Sequence, residues 1–250
     1  MFSQLTIVGA GRIGTMFAKL STVSRLQVSL LKRGDTSILP TGPILVCTRN
    51  DDLEGVLSWI PADRISDLIF VQNGMLQTWL ERHQVEHCTQ ALLYVAVSSV
   101  GDEPIDGGRS VVTGHHAESL VWMMNQLGLR CTSISRTDFM VEMLEKLLWN
   151  CVFGLLSEAF GLSVGKVVEE HRSVVEVLTG ELLTIACDEL SIDQSDIHKQ
   201  ALVDRLCAYS LSIPNYQGKV KEWPWRNGWF VERQVVKNSV HQQYLEKVGL

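Results

Sequence analysis

A glycine-rich turn near the start of the chain limits the fold more than any other feature of the sequence. It reads Gly9-Ala10-Gly11-Arg12-Ile13-Gly14, after the apolar run Gln4–Val8 and before a helix-compatible stretch at residues 15–20. In such a turn the first glycine permits the tight bend, the second lets the backbone approach a pyrophosphate, and the third lets helix and strand pack closely. The N–H groups at the helix start would hold the phosphates. The turn therefore predicts a β-α-β unit that binds a dinucleotide.

Two cations follow the predicted second strand, residues 28–31. They are Lys32 and Arg33. An NAD-specific protein places a carboxylate here, on the 2′-hydroxyl of the adenosine ribose. Lysine and arginine instead make charge-assisted bonds to phosphate oxygens, so the pair predicts NADPH as the cofactor. A plain solvated strand end stays open as the alternative, because Asp35 is close in the sequence.

Short apolar runs alternate with helix-length stretches through the first half of the chain. These runs are residues 44–47, 68–71, 92–97, 111–112 and 131–134. Their alternation predicts a mostly parallel, doubly wound sheet. From Asp138 onward helical periodicity replaces the strand signals. We therefore predict an α/β chain with an N-terminal Rossmann dinucleotide-binding domain over residues 1–135 and an all-helical C-terminal domain over residues 136–250.

Helices in the second half are predicted from their apolar periodicity and their end signals. They cover residues 138–160, 172–190 and 195–210. Gly161 follows the first of them, and Ile213-Pro214 ends the pattern after the third.

Composition removes several classes of function. The 22 basic and 28 acidic residues give a formal charge of -6, which argues against a nucleic acid as partner. The longest apolar run, residues 91–97, is far shorter than the roughly 18 to 20 residues that cross a bilayer. The first residues carry no basic segment, which predicts a cytoplasmic protein without a membrane contact.

The cysteines and histidines do not predict a metal site. Six cysteines lie mostly in apolar stretches and form no C-x-x-C pair, so we predict reduced thiols. His83, His87 and Cys88 could share a helix face, but no further ligand stands at a suitable spacing.

An asparagine follows the predicted strand at residues 68–71. It belongs to the segment Gln72-Asn73-Gly74, and ligands of doubly wound sheets bind beyond the carboxyl ends of the strands. Asn73 would bond a nicotinamide-ribose hydroxyl or a substrate oxygen. An ordinary Asn-Gly turn explains the segment equally well.

The predicted helix at residues 138–160 carries polar groups inside an apolar stretch. Lys146, Asn150 and Gly154 are spaced four residues apart and therefore share one face. An unpaired buried charge is very costly. Lys146 either pairs with Glu142 one turn earlier, the more common arrangement, or presents an ammonium group to a substrate oxygen.

Tryptophans and charges are concentrated at residues 218–228. Glu222 lies among them, next to Trp223-Pro224-Trp225. These aromatic neighbours predict partial burial of its carboxylate.

Together these residues resemble the ketopantoate reductase (2-dehydropantoate 2-reductase) family. Four blocks carry the resemblance along nearly the whole chain, and the helix block is the most discriminating. The blocks are the glycine-rich turn at residues 9–14, Gln72-Asn73-Gly74, Glu145-Lys146-Leu147-Leu148-Trp149-Asn150 and residues 218–228.

The resemblance implies that NADPH reduces a branched 2-oxo acid to the 2-hydroxy acid, with ketopantoate as the leading candidate and pantothenate biosynthesis as the setting. It implies Lys146 as the general acid toward the carbonyl oxygen and Glu222 as a catalytic, cofactor-contacting carboxylate. Asn73, Asn150 and Ser210 match substrate-binding positions, and Asn73 also matches a contact to nicotinamide ribose. An ammonium can polarise the carbonyl and supply the proton that hydride transfer requires.

Departures from the family pattern bear mainly on the substrate. Gly154 stands where the family often has a second asparagine, and Trp223-Pro224-Trp225 replaces smaller or acidic residues. A reductase of a different 2-oxo acid is therefore the first alternative. A non-catalytic NADPH-binding sensor or scaffold is the second. An exposed apolar surface on the helical domain would support a homodimer.

Overall fold

The structure, a computed structural model, describes residues 2–194, 197–233 and 238–250. The chain forms two compact units, Met1–Met140 and Val141–Leu250. The division between them falls inside a helix, five residues beyond the boundary predicted at residues 135 and 136. Each unit is described by itself below.

The first unit is built on a seven-stranded sheet and a separate hairpin. The strands are β1 Gln4–Val8, β2 Gln27–Leu31, β3 Ile44–Val46, β4 Leu68–Phe70, β5 Thr89–Leu92, β6 Val95–Ala96, β7 Ile105–Asp106, β8 Ser110–Thr113 and β9 Cys131–Ser133. The order in the sheet is β2-β1-β3-β4-β5-β8-β9, and the hairpin pairs β6 with β7. Strands β1 to β5 are parallel, β8 is antiparallel to β5, and β9 is parallel to β8. The mostly parallel sheet of the prediction is confirmed.

Helices and apolar strands together form the core of this unit. The helices are α1 Arg12–Ala18, α2 Leu20–Val23, α3 Leu53–Leu57, α4 Gln77–Arg82 and α5 Ala117–Gln126. Ile7, Phe17, Leu45 and Leu120 are fully buried in one apolar cluster. Consecutive apolar residues in β1, β3 and β4 are buried together, as expected for strands covered on both faces.

The apolar run at residues 92–97 does not form one strand, which corrects the prediction. The sheet strand β5 ends at Leu92, and β6 belongs to the hairpin. Tyr94 explains the break: its carbonyl accepts a hydrogen bond from the Gly107 N–H at 2.7 Å, and its own N–H donates to Ser110 Oγ at 2.9 Å. The backbone groups of Tyr94 are thus bonded outside the β5 ladder.

The second unit is helical. Its helices are α6 Arg136–Phe160, whose first residues belong to the first unit, α7 Val164–Leu190, α8 Lys199–Ser212, α9 Asn227–Val231 and α10 Val240–Lys247. The predicted helix at residues 138–160 corresponds to α6. The helix predicted from residue 172 begins earlier, at Val164, because α7 continues through a kink at His171, with φ of -133° and ψ of 27°. Of the helix predicted at residues 195–210, Ser195 and Asp196 lie outside the described residues.

No single helix in the described part of the chain is both long enough and apolar enough to cross a membrane. Only α6 and α7 counted together, bent by 99°, satisfy that test of length and composition. All six cysteines are free thiols. Among the described residues, no group of three or more His, Cys, Asp or Glu side chains could hold a metal ion.

Gly154 is a packing position on α6. A Cβ atom there would lie 2.9 Å from the Lys219 carbonyl oxygen, and a Cβ at Gly218 would lie 2.5 Å from the Phe153 oxygen. The Val220 N–H also donates to Glu158 Oε2 at 2.8 Å. Residues 218–220 therefore cross α6 with their backbone in direct contact, and this crossing explains the glycine.

Gly154→Ala is expected to destabilise the protein by about 1–3 kcal/mol, because the added methyl meets backbone atoms that have little room to move. In an ordinary helix the same change stabilises by up to about 1 kcal/mol. The measurement is urea unfolding of both proteins. Gly55→Ala in α3 is the matched control, since nothing lies within 4 Å of its added Cβ. Equal or higher stability of Gly154→Ala would contradict the crossing.

Candidate active site

The glycine-rich turn lies at the carboxyl end of β1, where packing dictates two of its glycines. Gly9 has a φ of +107°, and a Cβ there would lie 2.9 Å from the Cys47 carbonyl carbon. A Cβ at Gly14 would lie 1.8 Å from the Gly9 oxygen, in the close contact between α1 and the turn. Both positions therefore require glycine for the fold itself.

Gly11 differs from the other two glycines. Its φ of -78° suits any residue, and nothing lies within 4 Å of an added Cβ. Ala10 and Ile13 are half-buried, while Arg12 is exposed and donates through Nη1 to the Val97 oxygen at 3.2 Å. The open side of the turn is therefore at Gly11, where a pyrophosphate would approach the backbone.

Lys32 and Arg33 follow β2 directly and are exposed. The Asp35 carboxylate accepts a hydrogen bond from the Lys32 N–H at 2.9 Å, so one of its oxygens is bound to its own turn. Arg33 Nη2 lies 3.9 Å from Asp52 Oδ1; the arginine side chain is almost fully exposed and the aspartate side chain is half-buried. Such an exposed pair contributes little and leaves the guanidinium available to a phosphate.

Asn73 lies beyond the carboxyl end of β4, and two neighbours fix its backbone. Asn50 Nδ2 donates to the Asn73 oxygen at 2.8 Å. The Gln72 side chain donates to the Val46 oxygen at 2.9 Å and the Thr48 oxygen at 3.2 Å, beyond the adjacent strand. The Asn73 side chain is half-buried. Sequence reasoning missed the positioning roles of Asn50 and Gln72, for which the sequence offers no periodic or motif signal.

In the second unit, Lys146 is a half-buried residue of α6 with an altered proton affinity. The pKa of Lys146 is lowered to about 7: burial of the ammonium group is the largest cause, the positive charge of Arg226 adds to it, and the negative charge of Glu222 opposes it. Asn150 lies one turn later and donates from Nδ2 to the Lys146 carbonyl at 2.8 Å. That hydrogen bond orients the amide and leaves its oxygen as an acceptor.

Glu222 adopts a left-handed backbone conformation, with φ and ψ both 49°, just before the 3-10 turn Trp223–Trp225. Its side chain is 41% exposed, so the carboxylate is partly covered and partly solvated. Arg226 Nη2 lies 2.7 Å from Glu222 Oε2, so an ion pair holds the carboxylate. Sequence reasoning missed Arg226, although it lies four residues after Glu222.

Ser210 is fully buried in α8. Its hydroxyl donates to the Leu206 oxygen at 3.0 Å and accepts from Trp149 Nε1 at 2.9 Å. A substrate would therefore reach this hydroxyl only after Trp149 moved. The substrate-binding role of Ser210 stays a prediction.

The predicted site residues form one group in each unit. In the first unit, three features follow the carboxyl ends of parallel strands of one sheet: the glycine-rich turn after β1, Lys32 with Arg33 after β2, and Asn73 after β4. In the second unit, Asn150 bonds the Lys146 carbonyl, Glu222 pairs with Arg226, and the charges of both Glu222 and Arg226 act on Lys146. The first arrangement could hold a dinucleotide, and the second could protonate an oxygen.

Comparison with known proteins first defines a class. No model of a protein family matches the chain, and no curated protein matches it. Solved structures do match over nearly the whole chain, and they include a D-mandelate dehydrogenase in complex with NADH, with a TM-score of 0.71, 14% identity, and coverage of 98% of this chain and 97% of the other. The class is that of a Rossmann unit followed by a helical unit.

Within that class, the fold is that of the 2-dehydropantoate 2-reductases. One from Methylococcus capsulatus matches with a TM-score of 0.74 at 16% identity, covering 97% of this chain and 95% of the other. A dimeric ketopantoate reductase from Staphylococcus aureus matches with a TM-score of 0.68 at 15% identity, covering 98% and 99%. The resemblance to the ketopantoate reductase family is thus confirmed for the fold.

Proposed function

We propose that this protein is an oxidoreductase that uses a nicotinamide dinucleotide to reduce a small 2-oxo acid to the 2-hydroxy acid. The observation that carries the proposal is Lys146, a half-buried lysine of the apolar helix α6 whose pKa of about 7 lets it exist as both acid and base near neutrality. A general acid works best when its pKa lies near the working pH. The fold shared with ketopantoate reductases and D-mandelate dehydrogenase supports the same chemistry.

The first unit fits the cofactor. The open space at Gly11 would admit the pyrophosphate, and the half-buried Asn73 would bond the nicotinamide ribose. Lys32 and Arg33 would bind a 2′-phosphate, which makes NADPH the preferred form. The cofactor supplies the hydride when bound; the protein supplies its orientation and the proton.

In the second unit, Lys146 Nζ would meet the carbonyl oxygen of the substrate and give it a proton as negative charge develops. Asn150, with its oxygen free to accept, would bond a substrate hydroxyl and hold the carbonyl in place. Glu222 would complete the site as a carboxylate that pairs with Arg226 and whose charge raises the pKa of Lys146. Ser210 would contribute after a movement of Trp149.

Ketopantoate is the leading substrate candidate, and its reduction would place the protein in pantothenate biosynthesis in the cytoplasm. A different 2-oxo acid is the second candidate, which Trp223-Pro224-Trp225 favours because bulky side chains suit another substrate shape. The exposed apolar residues Val177, Leu211 and Tyr216, together with the dimeric S. aureus structure, support a homodimer.

The experiment is the oxidation of NADPH and NADH by the purified protein with ketopantoate and a series of other 2-oxo acids, followed by absorbance. Turnover with ketopantoate and a lower KM for NADPH than for NADH are expected. Faster turnover of another 2-oxo acid would favour the second candidate. Tight NADPH binding with no turnover of any 2-oxo acid would contradict the enzyme and favour a sensor or scaffold.

A further inference from the structure

Arg226 is a cation of the second unit that has no role toward the substrate in the proposed reaction. Its side chain is only 11% exposed. The nitrogen Nη2 lies 2.7 Å from Glu222 Oε2, whereas Nε is enclosed and has no hydrogen-bond partner in the described part of the chain. A guanidinium has five N–H donors, so this ion pair occupies only part of its capacity.

The positive charge of Arg226 acts on two residues of α6. These are the proposed proton donor Lys146 and the buried thiol of Cys151, whose pKa values it lowers. The ion pair with Glu222 and the adjoining helix α9 hold the guanidinium, with Asn227 and Gly228 buried immediately after Arg226. Arg226 is therefore held in place by its ion pair and by packing, unlike an exposed arginine whose side chain moves freely in solvent.

A 2-oxo acid carries two groups that need cations, because its carboxylate is bonded directly to the carbonyl carbon. Lysine is a compact point charge suited to one oxygen, whereas the planar guanidinium matches both oxygens of a carboxylate. If Lys146 meets the carbonyl oxygen, the carboxylate comes within reach of the neighbouring cation. On this basis, which rests on the proposed function, we propose that Arg226 binds the carboxylate of the substrate and thereby selects 2-oxo acids over uncharged ketones.

Binding of a carboxylate to Arg226 would also change the protonation state of Lys146. The positive charge of Arg226 lowers the pKa of Lys146 more than Glu222 raises it. A carboxylate bound to Arg226 adds a negative charge beside both cations and returns Lys146 to its ammonium form. The other charged groups near Lys146 on α6 are Glu142, one turn earlier, and Glu145, which pairs with Arg205 at 2.7 Å. Lys146 would therefore carry its proton when the anionic substrate is bound.

The test compares Arg226→Met and Arg226→Lys on two substrates, a 2-oxo acid and its uncharged amide. We expect Arg226→Met to lower kcat/KM for the acid by about 10²- to 10³-fold while changing that for the amide only a few-fold. Arg226→Lys is expected to retain part of the preference for the acid. Lys219→Met removes an exposed cation from the same segment and is the matched control. An equal loss on acid and amide would overturn the proposal.

A binding measurement separates this proposal from the proposed function. Oxamate, an unreactive carboxylate of the same shape as a 2-oxo acid, is titrated by calorimetry into each protein saturated with NADPH. Affinity that falls at least about tenfold in Arg226→Met supports the carboxylate site even if no 2-oxo acid is turned over. Unchanged affinity overturns it even in an active reductase. If Arg226→Met does not fold, partial loss in Arg226→Lys gives the same answer.

Discussion

Replacing Lys146 by methionine is expected to lower kcat for 2-oxo acid reduction by about 10²- to 10⁴-fold, the usual contribution of a general acid. The fold should survive, because methionine fits the apolar surroundings of the helix and removes a desolvated charge. Cofactor affinity should change little, since Lys146 is not one of the predicted dinucleotide contacts. The measurements are steady-state turnover and a fluorescence titration with NADPH.

The pH dependence of kcat/KM is a second test of the role of Lys146. Because the acid form is required, kcat/KM of the wild-type protein should fall about tenfold per pH unit above the Lys146 pKa of about 7. Lys166, an exposed lysine of α7 paired with Glu169 at 2.7 Å, provides the control variant Lys166→Met. A flat profile from pH 6 to 9, or full activity of Lys146→Met, would remove the lysine from the mechanism.

Gly11→Leu is expected to weaken dinucleotide binding by about a hundredfold or more without unfolding the protein. A Cβ atom added at Gly11 has no protein atom within 4 Å beyond its chain neighbours, and the residue is exposed, so we expect the fold to tolerate a side chain there. The same space is where the pyrophosphate would approach the backbone. The measurements are the dissociation constant of NADPH and the melting temperature.

Gly14→Ala in the same turn should behave in the opposite way. Its methyl would lie 1.8 Å from the Gly9 oxygen, so the expected result is a clear loss of stability. If Gly11→Leu bound NADPH as tightly as the wild type, the glycine-rich turn would not be the cofactor site. A similar loss of stability in both variants would show that the two glycines do not have separate roles.

The sequence predicts the sheet well where one strong local signal acts. The glycine-rich turn and the mostly apolar runs of β1, β3 and β4 are enough to predict these strands, because strands buried on both faces are rich in apolar residues along their whole length. Residues 92–97 have the same composition, yet the backbone bonds of Tyr94 to Gly107 and Ser110 divide them. Bonds to partners distant in the sequence leave no local pattern.

The candidate site shows the same limit. Lys146 and Asn150 follow from helical spacing, whereas Arg226 was missed because its importance depends on an ion pair with Glu222 and on packing against another helix. The spacing that identifies Ser210 in the sequence does not predict that it is buried, since its hydroxyl is bonded to the indole of Trp149 in the folded chain. Gly154 looked like a lost substrate contact, but it allows two backbones to touch.

Under the proposed function, the backbone contact at Gly154 and Gly218 would let substrate preference and proton donation evolve separately. The Gly154 and Gly218 crossing anchors the start of the segment that carries Glu222 and Arg226 to the helix that carries Lys146. Under the proposed function, substitutions at the half-exposed Trp223 and Trp225 would change the substrate preference while Lys146, Glu222 and Arg226 keep their alignment. New substrates would be acquired there by exchange of side chains, with no need to rebuild the chemistry.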